Sequence, residues 1–181
     1  YYDVLLNRAF GNYRDILQDV TYHASMGIYL TYLNNPKSNP ATNTFPDENY
    51  ARELMQLFTI GTSMLNMDGT MMYDTAMVPI PTYNNNDIAE FSKIFTGLSW
   101  QDRTTFNRSA ANDTSYTLPM KMFNTSHQAG QKFLLNGFVV PDRNPVDGNA
   151  DITDALNNLF NHQNVPPYVS KFLIQRLVTS N

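Results

Sequence analysis

The stretch Phe45 to Gly61, FPDENYARELMQLFTIG, constrains this chain more than any other. At about 100° per residue, Leu57, Tyr50, Leu54, Phe58, Ala51 and Met55 fall on one broad apolar arc, which a helix must bury against a core. Pro46 suits a helix start, and Asp47, at the N-cap or in the first turn, joins Glu48 at the positive end of the helix dipole. Gly61 suits the position just past the last turn. On the polar arc Glu48 precedes Arg52, and Asn49 precedes Glu53, each pair at the i,i+4 spacing at which side chains meet. Glu53 lies at the margin of the apolar arc beside Leu57. A carboxylate placed there is expected to be partly buried and to need a partner.

The same periodicity recurs elsewhere. Tyr2 to Phe10 reads as helical up to Gly11. Asn12 then offers an N-cap for a helix carrying Tyr13, Ile16, Leu17 and Val20 on one face. Met26, Tyr29, Leu30 and Leu33 mark a short helix over 25–33. Ile88, Phe91, Ile94, Phe95 and Leu98 mark another, with Asp87 and Glu90 resembling a capping box. Asp151 is the expected cap of a helix bearing Ile152, Ala155, Leu156, Leu159 and Phe160. Pro166-Pro167 opens a last helix with Val169, Phe172, Leu173 and Leu177 as its stripe, and Arg176 stands inside that stripe as if awaiting a carboxylate. Between these segments the helical period lapses. Met64 to Met72 around Asp68-Gly69 reads as one hairpin, and Phe133 to Val140 around Asn136-Gly137 as a second, since Asn-Gly tolerates positive φ at both turn positions. Leu118, Met120 and Met122 alternate as a short strand. The expected fold is therefore mainly α, an irregular multi-helix bundle with two small inserted β-hairpins. Residues 1–61, 84–100 and 151–181 supply the helical core of a single domain, and 62–83 and 101–150 are irregular insertions. The chain opens on Tyr1 rather than Met and is read as a fragment of a longer polypeptide.

Composition narrows the function classes. With no cysteine there is no disulfide, no thiolate metal site and no cysteine nucleophile. A net charge of −4, with only 15% charged residues and the basic ones scattered, gives no nucleic-acid surface. No apolar run approaches the ~20 residues of a membrane helix. Abundant Asn, Thr and Tyr beside few Lys and Glu suit an extracytoplasmic protein.

Several of these segments together resemble a known bacterial family. Pro46-Asp47-Glu48-Asn49-Tyr50-Ala51-Arg52-Glu53-Leu54 leading to Thr59-Ile60-Gly61 resembles the signature of the family catalogued as domain of unknown function 1800. Phe95-Thr96-Gly97-Leu98 resembles its F/L-T-G element. His127, Gly130, Lys132 and Leu135 resemble its H-x-x-G-x-K-x-x-L element, and Phe172 to Val178 its closing helix with an R-L-V ending. Phe58 stands where many members carry His, and Asn136-Gly137 where a shorter Leu-Gly turn is common. The likeness implies a mostly helical domain longer than this chain, here its central to C-terminal part, exported by bacteria. Genes of the family often neighbour a second exported family with an alkaline-phosphatase-like fold. No activity comes with the resemblance.

Two constellations bear chemistry. Glu48, Asn49, Arg52 and Glu53 on the signature helix, with Arg176 as a mate for Glu53, form either a helix-locking ion network or a site with Glu53 as general acid or base. His127, before a glycine turn, is either a loop histidine bonded to backbone or a base or ligand. His23 and His162 share no metal-motif spacing with it, so neither a metal nor a cofactor is expected. Asp147-Gly148-Asn149-Ala150-Asp151 resembles the opening of a calcium loop but lacks the later bidentate glutamate. Trp100, Phe106, Tyr116 and Phe123 lie in polar surroundings, either as a stacking surface or as a satellite of the core. The expected function is a surface or periplasmic binding or structural module, with another exported protein or a surface glycan as partner. The alternative is an extracytoplasmic hydrolase-like enzyme using Glu53 and His127, with Arg52 or Arg176 for an anionic group.

Overall fold

The computed structural model describes residues 1–107 and 115–179. The sequence carries N-x-S/T sequons at Asn107, Asn112 and Asn124, which read as an Asn- and Thr-rich loop; the first runs into the intervening segment and the second lies outside the described residues. The protein is mainly α. Helices α1 (Tyr2–Asn7), α2 (Tyr13–Thr21) and α3 (Ala24–Tyr29) come first, followed by α4 (Asn49–Glu53), α5 (Asn85–Ile94), α6 (Gly148–Phe160) and α7 (Val165–Leu177). Two antiparallel pairs accompany them: β1 (Leu98–Ser99) with β2 (Lys121–Met122), and β3 (Lys132–Phe133) with β4 (Val139–Val140).

Helix α5 is the hub, packing against α4, α6 and β3. Its start is a true capping box, in which the Asn84 side chain accepts from Asp87 N–H and Asp87 answers to the Asn84 backbone. The box therefore sits three residues before the expected Asp87–Glu90 pair. The apolar residues read from periodicity, Ile88, Phe91, Ile94, Phe95 and Leu98, are all buried. They meet Tyr50 of α4, which stacks on Tyr32 at 3.9 Å between ring centroids and meets Phe95 edge-on at 4.7 Å. Buried phenols need hydrogen-bond partners. The Tyr50 hydroxyl lies 2.7 Å from Thr21 Oγ1, and Tyr32 donates to the Thr21 carbonyl at 2.9 Å.

The signature helix departs from its expected geometry halfway along. From Leu54 to Thr59 it widens into a π-helical turn: Ile60 N–H reaches back five residues to the Met55 carbonyl at 3.0 Å, and Thr59 Oγ1 donates to the Leu54 carbonyl at 2.7 Å. Such a turn holds one more residue than an α turn, so the face rotates. Leu54 and Met55 stay in the core and Ile60 joins them, whereas Leu57, assigned to the buried arc by a constant period, is 56% exposed. The freed carbonyls are met from outside. Tyr168 donates to Gln56 O at 2.6 Å, Tyr13 to Phe58 O at 2.5 Å and Asn164 to Ile60 O at 2.5 Å. Gly61, at φ +67°, ends the helix where a Cβ would overlap the Tyr168 ring. Replacing Tyr168 by Phe removes one of these clamps and should lower stability by about 1 kcal/mol, read from the urea midpoint at unchanged m.

Residues 62–83 form a closed ring rather than a simple hairpin. Asp68-Gly69 turns the chain as expected, with Leu65 bridging Met71, but Ser63 also bridges Pro81 and Tyr73 bridges Pro79. The three segments bond in a circle: Met64 N–H to Ile80 O, Ile80 N–H to Met72 O, and Met72 N–H to Met64 O. The second turn matches its sequence closely. Asn136 (φ 58°) and Gly137 (φ 72°) both take the left-handed conformation, and Leu134 N–H donates to Phe138 O at 2.7 Å. Met120 is buried as the alternation required, whereas Leu118 is exposed; residues 121–122 pair with β1, and Pro119 bridges His23.

Candidate functional site

Four segments far apart in sequence place their charged or polar groups around one carboxylate, that of Asp151. The segment after α5 supplies Thr96, the short turn at 124–126 leads into His127, β3 carries Lys132, and the chain after β4 carries Arg143. Asp151 occupies the first turn of α6 but does not cap it. That role belongs to Asp147, whose Oδ1 accepts from Asn149 and Ala150 N–H, both at 3.1 Å. Asp151 is thereby left to face inward. Its Oδ2 accepts from His127 Nε2 at 3.0 Å and from Lys132 Nζ, and its Oδ1 accepts from Arg143, which also donates to Asp154 at 2.5 Å. The other His127 nitrogen, Nδ1, lies 2.9 Å from the Thr96 carbonyl. Each ring nitrogen is thus engaged by a neighbouring group. Thr96 Oγ1 donates to the Lys93 carbonyl at 2.7 Å and accepts from Gln128 N–H at 2.9 Å, which locks the loop before it reaches the glycine turn.

The cluster is sealed. The side chains of His127, Lys132 and Asp151 are 0%, 2% and 3% exposed, and Arg143 alone reaches toward solvent. Burial pushes the Asp151 carboxyl up. The hydrogen bonds and charges of His127 and Lys132 outweigh that push and hold the carboxyl below its ordinary value. Small residues make the closeness possible. Gly97, at φ +85°, passes so near the His127 backbone that a Cβ would lie 2.9 Å from its amide nitrogen, and at Gly148 one would lie 2.9 Å from the imidazole Cγ.

The residues marked in the sequence are placed as follows. Glu48 and Arg52 pair at 3.1 Å on an exposed helix face. Asn49 N–H is capped by Asp47 Oδ1 at 2.8 Å, and its side chain reaches Thr31 at 3.5 Å. Glu53 is half-buried, but among the described residues neither a hydrogen bond nor an ion pair reaches its carboxylate, and the expected pair with Arg176 does not form. Arg176 instead lies exposed near the end of α7, beside Leu57, because the stripe that was to bury it is itself largely exposed. Trp100 is buried and meets Tyr116 edge-on at 5.1 Å, and Phe106 meets Phe123 at 6.0 Å, so Trp100 caps the core rather than offering a stacking face. Replacing Glu53 by Gln should change stability by no more than about 0.5 kcal/mol in thermal or urea unfolding, since no partner is lost.

Arg143 escapes the sequence reading, while Asp151 reads as a helix cap or calcium-loop residue and Lys132 and Thr96 as parts of family motifs, none of them as a member of one cluster. The one signal available is that Asp147 already suffices as a cap, although an acidic residue in a first turn also has a local reason to be there. Asp147 and Asp151 are both engaged as acceptors, so the run between them is a helix start. Among the described residues no group of three or more His, Cys, Asp or Glu could hold a metal ion, and no helix is long and apolar enough to cross a membrane.

A second feature is open rather than sealed. Tyr13 of α2, Leu57 and Phe58 of the π-helical turn and Tyr168, Leu173 and Arg176 of α7 line an apolar groove of about 230 Å³.

These features define a class: a mainly helical domain whose buried titratable groups serve as a clasp between segments, beside an open apolar groove. The family model described as "Protein of unknown function (DUF1800)" matches residues 1–181, and the chain belongs to that family. The elements that carry the likeness now have physical roles. Tyr50 and Leu54 build the core, Thr96-Gly97 receives His127, and His127 and Lys132 hold Asp151. No curated protein and no solved structure matches the chain.

Proposed function

We propose that this chain is a binding or structural module of an exported bacterial protein, working at the cell surface or in the periplasm. One observation carries the reading. His127, the residue best suited to proton transfer, has both ring nitrogens engaged and no exposed side-chain surface. A general base must reach the proton it removes, within about 3 Å or through one water. Glu53, its imagined partner in catalysis, belongs to a different helix and takes no part in the cluster. The open groove beside α7 is apolar, as suits recognition.

The test uses chromogenic ester, phosphoester and glycoside substrates with the wild-type protein and Glu53→Gln. The module reading expects no turnover above buffer from either protein. Turnover abolished by Glu53→Gln at an unchanged melting temperature overturns it in favour of a hydrolase. Export is tested separately by fractionating cells that express the full-length gene. Recovery from the periplasm, surface or medium supports the assignment, and retention in the cytoplasm contradicts it.

A further inference from the structure

We propose that the groove between α2, the π-helical turn and α7 seats an amphipathic helix of a partner protein that presents a carboxylate to Arg176. The proposal rests on the module reading above and names the chemistry of its partner.

The end of helix α7 beyond Lys171 is largely apolar. Phe172, Leu173, Ile174 and Leu177, with Val178 just past the helix, are interrupted only by Gln175 and Arg176, and all five are substantially exposed, Leu177 to 78%. A helix end with so broad an exposed apolar surface belongs in an interior or an interface. Its floor is shaped and held in place. The Tyr13 and Tyr168 hydroxyls that line the groove are fixed on the carbonyls of Phe58 and Gln56, so the rings beneath a docking helix are already ordered. Binding to an ordered surface avoids much of the cost of immobilising side chains. A concave apolar slot of this kind takes helix anchors at i, i+3, i+4 and i+7.

Charge selects the occupant. Arg176 is the only charged side chain lining the groove, and among the described residues no ion pair neutralises it. Lys171, one turn back, donates to the Gly69 carbonyl and also has no carboxylate. Two copies joined through α7 about a twofold axis would set cation against cation, which disfavours a second copy of this chain. A lipid surface is flat and does not fill a slot, and an anionic one repels a chain of net charge −4. An acidic amphipathic helix satisfies both the apolar wall and the guanidinium.

The test titrates the 181-residue chain into a fluorescein-labelled amphipathic peptide of about 15 residues, with leucines at the four anchor positions and one flanking glutamate, followed by fluorescence anisotropy. The expected result is saturable binding roughly tenfold tighter than for the same peptide with lysine in place of glutamate. Arg176→Glu should invert that preference, and Leu173→Glu, at an exposed position, should abolish binding of both peptides while the melting temperature holds. Absence of binding, or equal binding of the two peptides, overturns the proposal. So does a dimer by light scattering that Leu173→Glu disperses, or binding to phosphatidylglycerol vesicles that the same substitution removes. These outcomes leave the module reading intact, since that reading is tested separately by Glu53-dependent turnover and by cell fractionation.

Discussion

Replacing Asp151 by asparagine should cost about 3–5 kcal/mol, one of the largest losses open to a single polar substitution in this chain. The new side chain has nearly the same shape, so no cavity forms. What changes is charge. Lys132 is 2% exposed and among the described residues its ammonium meets only Asp151, so the substitution strands a buried cation in a place water cannot reach. Arg143 keeps Asp154, and His127 keeps the Thr96 carbonyl, so the loss falls mainly on Lys132. For a chain of this length the melting temperature should fall on the order of 10 °C, measured by circular dichroism or calorimetry. A double-mutant cycle separates this mechanism from general damage. Removing the stranded charge in Asp151→Asn/Lys132→Met should leave a protein less destabilised than the sum of the single changes. Full additivity would mean that the two groups are not coupled. The pH dependence has a definite sign. The Asp151 carboxyl is held below its ordinary value in the folded protein. Its contribution is therefore fully present above about pH 4, the unfolded carboxylate value, and is lost as pH falls through the lower folded value. The Asp151→Asn protein should lack that part of the acid transition.

Gly97→Ala should come next in size. Gly97 lies at φ +85°, a conformation costing an L side chain about 1–3 kcal/mol before any contact is counted. The contacts are also unforgiving. An added Cβ would lie 2.9 Å from both the His127 amide nitrogen and the Phe123 carbonyl oxygen, and these are backbone atoms that no rotamer change can move. The same residue is pinned through its own backbone, N–H to the Asn35 carbonyl at 2.9 Å and carbonyl to Phe123 N–H at 2.8 Å. Relief would require shifting the loop that carries His127 and so loosening its bond to Asp151. The expected result is a lower melting temperature together with faster amide exchange at His127 and Gln128. A Gly97→Ala protein that melts with the wild type would show that the loop gives way more readily than its backbone contacts imply.

Much of the helical architecture could be read from the sequence because its determinants are local. Asn12 caps α2 as expected, donated to by Arg14 N–H, and the Asn136-Gly137 turn adopts the two positive φ values that its residues favour. Burial of Tyr50, Leu54, Phe91 and Ile152 followed from the helical period, and the period failed where the helix itself changed pitch. Leu57 was assigned to the core by a constant 100° step that the π-helical turn does not keep. The clasp was harder for a different reason. Asp151 next to a helix start has a sufficient local explanation, while its partners His127 and Lys132 lie 24 and 19 residues away across irregular chain. No periodicity connects them. Glu53 drew attention because a constant helical period puts it at the margin of the apolar arc, yet in space it meets no countercharge among the described residues.

The ring at 62–83 has a consequence for how this molecule behaves in a crowded solution. Met67, Met71, Met77 and Val78 leave it strongly apolar on the outside, a surface on which strand addition by a second chain would be expected. Strand addition requires a row of unsatisfied backbone groups along an open edge. Here Met64, Met72 and Ile80 each donate to one of the others and accept from the remaining one, so at these positions no backbone donor is left for a second chain. Pro79 and Pro81, which have no N–H to give, stand at two of the bridges. Closure and the two prolines together thus work against strand addition to an otherwise apolar ribbon.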